Sequence, residues 1–269
     1  MEKFLQETIV MAGHILMEFF GRVESVTTKS GATDIVSLAD LASQRAIIER
    51  IRQKCPHHGI VAEEEGVNEV RDRTWYIDPL DGTSNFVSRI PLFGVSMALL
   101  SRQAGFVEAG IYLPATDELF YAVSHGGASR NGKKMATEHK AELKNSFGCV
   151  PSRLTGRKKA FHTVLLLRSE HGFWLSSFGS TVVPAAYVAD GRKDWLASFD
   201  NHPWDYAAAA LILKESGCRV TNDRGTDWTV EDRELIAASP PLHVELMEMV
   251  LESETINVPI TSVAGRPQP

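Results

Sequence analysis

The sequence predicts a mixed α/β chain, and three observations carry that reading. Apolar residues near the start recur at helical steps; short apolar runs then lead straight into acidic clusters; and three strand-length runs separated by turns lie between Phe93 and Val123. A length of 269 residues fits one large domain or two small ones, enough to bury a core without disulfide or metal staples. With 43% hydrophobic and 23% charged residues, the composition is that of a globular protein and excludes disorder or a collagen-like repeat. The formal net charge of −6 argues against general affinity for nucleic acid or anionic lipid, both of which need a basic surface. A small anionic substrate stays open, because a bound cation recruits one locally.

Each element follows from a local pattern. Leu5, Ile9, Ala12, Leu16 and Phe19 stand three or four apart, giving an amphipathic helix that closes at Gly21. Ser37 offers a cap for a second helix, with Asp40 in its acidic first turn. Its apolar face is read through Leu41, Ala46, Ile47 and Ile51, and Pro56 stops it. Gly59–Ala62 and Thr74–Ile77 read as strands. Val95–Leu99, Phe106–Tyr112 and Leu119–Val123, with turns at Gln103–Gly105 and Pro114–Asp117, read as an antiparallel meander. Asn131-Gly132 marks a further tight turn. The stretch 137–159 is the least readable, and its basic Arg153 and Arg157–Lys159 are expected in a solvated loop. A strand at Thr163–Leu167 follows, then helices at Ser180–Ala189, Tyr206–Ser216 and Leu242–Leu251. The last residues, 256–269, hold three prolines and a glycine and are expected as a frayed tail.

Cys55, Cys149 and Cys218 lie far apart without CxxC spacing and are expected as reduced, buried thiols of a cytoplasmic protein. No run approaches the roughly 18 apolar residues of a membrane span. The first twenty residues, with Glu2 and Lys3 ahead of an amphipathic pattern, differ from a signal peptide.

The chemistry concentrates in two acidic clusters. Glu63-Glu64-Glu65-Gly66 follows one apolar strand, and Asp78-Pro-Leu-Asp-Gly-Thr-Ser-Asn-Phe86 follows another. Carboxylates leaving neighbouring strands converge at a sheet edge, where they repel unless a hard cation sits among them. Pro79 fixes φ and removes a donor, so Asp78, Asp81 and an intervening carbonyl can face one point. Gly82 and Thr83 supply the complementary half: close backbone approach, N–H groups for phosphate oxygens, and a hydroxyl that orients water. A metal site beside an anion-binding turn is what phosphomonoester hydrolysis requires.

These residues resemble a known family. The string Asp78–Phe86 is similar to the signature of the inositol monophosphatase family of Mg²⁺-dependent, lithium-sensitive phosphatases. The likeness extends through Lys29–Asp40, Val61–Glu64, Gly105–Pro114 and Pro203–Ala208, and so from about residue 1 to 250. It implies a layered αβαβα sandwich over 1–255, with halves at about 1–136 and 137–255, a homodimer, and two or three Mg²⁺ ions, Mn²⁺ being an alternative. It further implies Glu63, Asp78 and the Leu80 carbonyl as ligands of one metal, and Asp78, Asp81 and Asp205 as ligands of a second. Gly82, Thr83 and Ser84 would hold phosphate, Lys29 would lie near its approach, and Thr83 backed by Asp40 would orient the attacking water. Glu63 would join in catalysis, and Glu64 would support the site; Glu65 reads as a surface charge. Asp205 also suits the start of its helix, where the dipole favours an acid.

The likeness thins at the alcohol pocket. Where inositol-specific relatives carry an acid, this chain has Ser198, with Asp200 two residues on. Either Asp200 substitutes through a shifted loop or the alcohol is read differently; Gly179 and Ser180 match the segment lining that pocket. The stretch 137–161 looks shorter than in typical relatives. The implied substrate is a small phosphorylated metabolite, nominally inositol 1-phosphate, with fructose 1,6-bisphosphate, histidinol phosphate and 3′-phosphoadenosine 5′-phosphate as competitors. A metal-binding regulator without activity is the reading from another class, and a role with RNA finds little support in the charge. Gly127–Lys134 misses the P-loop hydroxyl, His57-His58 lacks zinc spacing, and no serine-hydrolase elbow occurs.

Overall fold

The computed structural model describes residues 2–21, 26–28, 35–135, 140–150 and 156–255. Lys29 and the tail 256–269 lie outside them. The chain runs α1 (Glu2–Phe19), β1 (Val26–Thr28), β2 (Ile35–Ser37), α2 (Leu38–Lys54), β3 (Gly59–Ala62), β4 (Asn68–Glu69), β5 (Arg73–Asp81) and α3 (Thr83–Val87). Then come β6 (Gly94–Ser101), β7 (Gly105–Leu113), β8 (Glu118–Val123), β9 (Gly127–Arg130) and β10 (Lys133–Lys134). The second part holds β11 (Phe147–Cys149), α4 (Gly156–Leu167), β12 (Trp174–Ser176), α5 (Val182–Ala189), β13 (Trp195–Ser198), α6 (Pro203–Glu215), β14 (Arg219–Thr221), β15 (Leu235–Ala238) and α7 (Pro240–Thr255).

Eight strands form one sheet in the order β10-β9-β8-β7-β6-β5-β3-β4, and five form another in the order β12-β11-β13-β15-β14. Strand alternation gives each sheet two apolar faces. In the larger sheet Trp75, Ile77, Val95, Met97 and Leu99 pack under α1 and α2, beside Leu5, Ile9, Leu16, Ile47 and Ile51. Tyr76, Ala98, Ala109 and Ile111 face the other way, onto α5 and α6. In the smaller sheet Trp195, Ala197, Ile236 and Ala238 point to α4 and α7, while Leu196, Leu235 and Ala237 point back to α6. The layers are therefore α1/α2, sheet, α5/α6, sheet, α4/α7: the five-layer αβαβα sandwich.

The middle layer explains why α6 has no polar stripe. Tyr206 to Leu213 are all buried, because sheets cover the helix on both sides. The run Ala207–Ala210 keeps it thin and lets two backbone layers approach.

Four local expectations change. Thr163–Leu167 is not a strand but the end of α4. Ala160, Phe161, Val164 and Leu165 are buried at helical spacing whereas Leu166 and Leu167 are exposed, a periodicity hidden inside a continuous apolar run. Arg157–Lys159 belongs to the same helix and not to a solvated loop. The buried stripe of α2 runs through Ala39, Asp40, Ser43, Gln44, Ile47 and Ile51, leaving Leu41 and Ala46 half-buried. Its polar members point at the site, not at water. The second strand continues past Ile77 to Asp81.

The three cysteines are free and buried, and burial pushes the Cys149 and Cys218 thiols up to about 12, so both stay protonated. Gly127–Lys134 forms the β9–β10 hairpin around an Asn131-Gly132 turn with positive φ at both residues. No helix among the described residues is long and apolar enough to cross a membrane.

One close approach gives a stability test. A Cβ at Gly148 would stand 2.0 Å from the fully buried Trp195 ring. Gly148→Ala is therefore expected to cost about 1–3 kcal/mol, the scale of overpacking. Thermal denaturation reads this directly; an unchanged midpoint would show that the β11–β13 contact yields without strain.

Candidate active site

The site begins with an irregularity in β5. Asp78 pairs with Ser96 and Asp81 with Gly94, so three steps on β5 oppose two on β6. The extra residue is a bulge at Pro79-Leu80, where a missing proline N–H breaks no ladder bond. In a regular strand, residues three apart point to opposite faces; the bulge turns Asp78 and Asp81 to the same one. β3 runs parallel to β5 with Ala62 opposite Ile77, and the Glu63 N–H donates to the Ile77 carbonyl at 3.3 Å. Glu63 is thereby delivered beside Asp78. Asp205 arrives from the first turn of α6, its carboxylate accepting the His202 N–H at 2.7 Å.

Oxygens of Asp78, Asp81 and Asp205 all lie within 4.8 Å of one another. Burial raises the Asp78 carboxyl well above the usual carboxylate range, and the charges of Glu63, Asp81, Asp205 and Asp40 raise it further. Asp205 is also raised well above that range, by burial and then by Glu63, with the His202 N–H offsetting part of the rise. Asp81 is raised by burial while bonds from Ser180, Val182 and Thr181 oppose the shift. Three hard oxygen donors that repel one another fit a hard divalent cation, which reverses the repulsion.

Residues of α2 and α3 support the cluster. Ser43 donates to the Pro79 carbonyl at 3.0 Å, tying α2 to the bulge. The Gln44 amide donates to the Glu64 carbonyl and accepts the Glu64 N–H at 2.8 Å, tying α2 to the other acidic segment. Asp40, buried one turn earlier, adds its charge to the field at Asp78. The Asn85 amide donates to the carbonyls of Leu92 at 2.7 Å and Phe178 at 2.6 Å, fixing the chain that carries Gly179 and Ser180. Two adjacent polar residues inside the α2 pattern are the available signal for Ser43 and Gln44, and the place of Asn85 in the Asp78–Phe86 string is the signal for Asn85.

Asp81 accepts the Thr181 and Val182 N–H groups at 2.8 Å each, together with the Ser180 hydroxyl. It thus holds the start of α5 to the cluster. Asp78 accepts the Leu80 N–H at 3.0 Å, and the Thr83 hydroxyl donates to the Leu80 carbonyl at 3.0 Å. Gly82, at φ 89°, allows the turn into α3; a Cβ there would also sit 2.9 Å from the Leu92 carbonyl. Ser84 lies exposed at the mouth.

A cleft of about 660 Å³ opens over the cluster. Asp81, Ser84, Ser180 and Asp205 lie along it with Gly179, Lys158, Ser198 and Asp200. Of the expected residues, Asp81, Ser84, Gly179, Ser180, Asp200 and Asp205 line this one depression, and Lys29 lies outside the described residues.

The comparisons decide the family. The profile of the inositol monophosphatase family matches residues 1–255. This chain belongs to that family. As a member of the inositol monophosphatase family it is a phosphoric monoester hydrolase of a metal-dependent kind, acting on small phosphorylated substrates. It is 37% identical over 242 residues to a fructose-1,6-bisphosphatase/inositol-1-monophosphatase of Thermotoga maritima, covering 89% of this chain and 91% of that one. A Nus factor SuhB of Pasteurella multocida is 34% identical over 248 residues, covering 89% and 91%. Among solved structures, a Thermotoga maritima IMPase superposes with a TM-score of 0.85 at 34% identity, covering 94% of this chain and 97% of that one.

The raised carboxyls set a pH test. They bind protons more tightly folded than unfolded, so the cation-free protein loses stability as pH rises from about 4, the ordinary carboxylate range, through the raised values. A cation competes with those protons, so its stabilising effect should grow over the same interval. Melting curves in EDTA and in Mg²⁺ from pH 5 to 8 are expected to separate progressively, and a constant gap would refute the coupling. Asp78→Asn is expected to raise the EDTA midpoint at pH 7 by about 2–4 °C per kcal/mol of relieved repulsion and to remove the Mg²⁺ gain.

Proposed function

We propose that this chain hydrolyses small-molecule phosphate monoesters with Mg²⁺, nominally inositol 1-phosphate to inositol and phosphate. The observation that carries the reading is the convergence of Asp78, Asp81 and Asp205 beneath a cleft large enough for a sugar phosphate. Glu63, Asp78 and the Leu80 carbonyl would hold one cation, and Asp78, Asp81 and Asp205 a second. Cations bound there supply charge against the phosphoryl oxygens and acidify a water.

The remaining work falls to the chain. The N–H groups opening α3 at Gly82, Thr83 and Ser84 bind the phosphoryl oxygens, as helix starts do. The Thr83 hydroxyl spends its proton on the Leu80 carbonyl, so its lone pairs are left to accept a hydrogen bond from the attacking water and aim it. Asp40 and Glu63 hold negative charge near that water, favouring loss of its proton. Asp81, locked by three donors, keeps one geometry throughout. Lys29 is assigned to the phosphate approach, and Ser180 and Gly179 to the alcohol side. Lithium inhibition, a cytoplasmic location and a homodimer belong to the same reading.

The test is phosphate release from inositol 1-phosphate, fructose 1,6-bisphosphate, histidinol phosphate and 3′-phosphoadenosine 5′-phosphate, with Mg²⁺, Mn²⁺ or EDTA. Release that requires the cation is expected from at least one. Asp78→Asn should abolish it, and Thr83→Ala should lower kcat by about 10²–10⁴-fold while Mg²⁺ binding persists. The Pasteurella multocida relative bears the name of a Nus factor, so a non-catalytic reading is carried by the same assay. Cation binding without turnover on a widened substrate set would favour it.

A further inference from the structure

A short connection carries the chain from β13 to α6, and its Asn201 lines the cleft beside Ser198 and Thr181. The Arg233 carbonyl accepts the backbone N–H of Asn201 at 3.2 Å and fixes its place. The side-chain amide spends its N–H groups on the Thr181 hydroxyl at 3.0 Å and the Ser198 hydroxyl at 3.3 Å. Its Oδ1 accepts no hydrogen bond from any described residue and stays accessible, Asn201 being only half-buried.

Ser198 is the complement. It is buried in the cleft wall, and its oxygen also accepts the Tyr206 hydroxyl at 3.0 Å. With both lone pairs engaged, what Ser198 can still offer is its O–H. Side by side, the two residues present one acceptor and one donor. Turning the Asn201 amide over does not alter that count: Ser198 then donates to Oδ1 and keeps one lone pair, while an amide N–H is left over. The pair carries no charge in either arrangement.

From this arrangement we infer that Asn201, with Ser198, is a specificity-determining residue that reads one free hydroxyl of the alcohol close to the ester. The inference rests on the phosphatase reading of the cleft. A hydroxyl donates and accepts at one atom and so completes the pair. An ammonium only donates, a carboxylate only accepts, and a methyl group does neither. A chain of bonds sets the place: Asn201 bonds the Thr181 hydroxyl, and the Thr181 N–H bonds Asp81 at 2.8 Å. The hydroxyl that is read therefore lies on the side of the alcohol nearest the carboxylate cluster. Where the acid of inositol-specific relatives gives way to Ser198, the reading passes to a neutral amide three residues on and not to Asp200.

Four near-isosteric compounds test this: 2-hydroxyethyl phosphate, propyl phosphate, 2-aminoethyl phosphate and phosphoglycolate. They end in a hydroxyl, a methyl, an ammonium and a carboxylate, so the quantity to follow is the ratio of kcat/KM between members. The wild-type protein is expected to favour the hydroxyl over the methyl compound about 10- to 100-fold, the scale of polar groups left unpaired. Asn201→Leu, of similar size, should lower that ratio by about tenfold, chiefly through KM. In Asn201→Asp the Thr181 and Ser198 hydroxyls donate to the carboxylate, which leaves only acceptors. That variant should reverse the order of the hydroxyl and ammonium compounds, a change that a merely structural role would not produce. If Asn201→Leu does not fold, the wild-type order and Asn201→Asp decide. A wild-type protein that handles the hydroxyl and methyl compounds alike, or that prefers either ion, would overturn the proposal. So would an unchanged ratio in folded Asn201→Leu.

Calorimetric binding of the same compounds, with Ca²⁺ replacing Mg²⁺, separates the two readings. If turnover is absent but the wild-type protein binds the hydroxyl compound most tightly and Asn201→Leu does not, the catalytic reading fails and this one stands. Turnover of the hydroxyl and methyl compounds with equal kcat/KM leaves the catalytic reading standing and sinks this one. Equal or absent binding of all four, without turnover, sinks both.

Discussion

Mutual repulsion among buried carboxylates is the constraint on which the rest of this structure depends. Asp78, Asp81 and Asp205 lie within 4.8 Å of one another with Glu63 and Asp40 in the same field. Such an arrangement costs free energy in a cation-free chain and persists only where the surrounding fold holds it in place. The bulge in β5 holds Asp78 and Asp81, the parallel pairing of β3 holds Glu63, and the N-terminal turn of α6 holds Asp205. None of these elements can move independently, because each also carries part of a core.

Two neighbours complete that frame. α2 contributes Ser43 and Gln44, which grip the backbone of both acidic segments from beneath. α5 is tied to Asp81 through its first N–H groups, so the middle layer and the larger sheet meet at the cluster itself. The five-layer architecture is thus a means of bringing acids from three chain segments to one point. The middle layer brings one of them and borders the cleft; the outer layers add α2's grip at one side and Lys158 of α4 at the other.

The cleft has two unlike ends. Its carboxylate end is rigid, with hydrogen-bonded carboxylates and a glycine turn. Its far end carries Lys158 and Asp200, 3.9 Å apart, with Asp200 the more exposed of the two.

The sequence by itself determined the chemistry and much of the larger sheet. Asp78–Phe86 and Glu63–Gly66 follow strand-length apolar runs, and helix 1 and the meander repeat at their own periods, so local physics suffices for them. Tertiary structure alone decided the smaller sheet, whose strands are only three or four residues long and gain their shape from pairing. It also decided α4, because a continuous apolar run hides its period until one face is buried. The inward turn of Ser43, Gln44 and Lys158 belongs to the same class: a polar residue reads as solvated until a partner across the fold, distant in sequence, satisfies it. Local patterns name the groups that can do chemistry; only packing says which of them face one another.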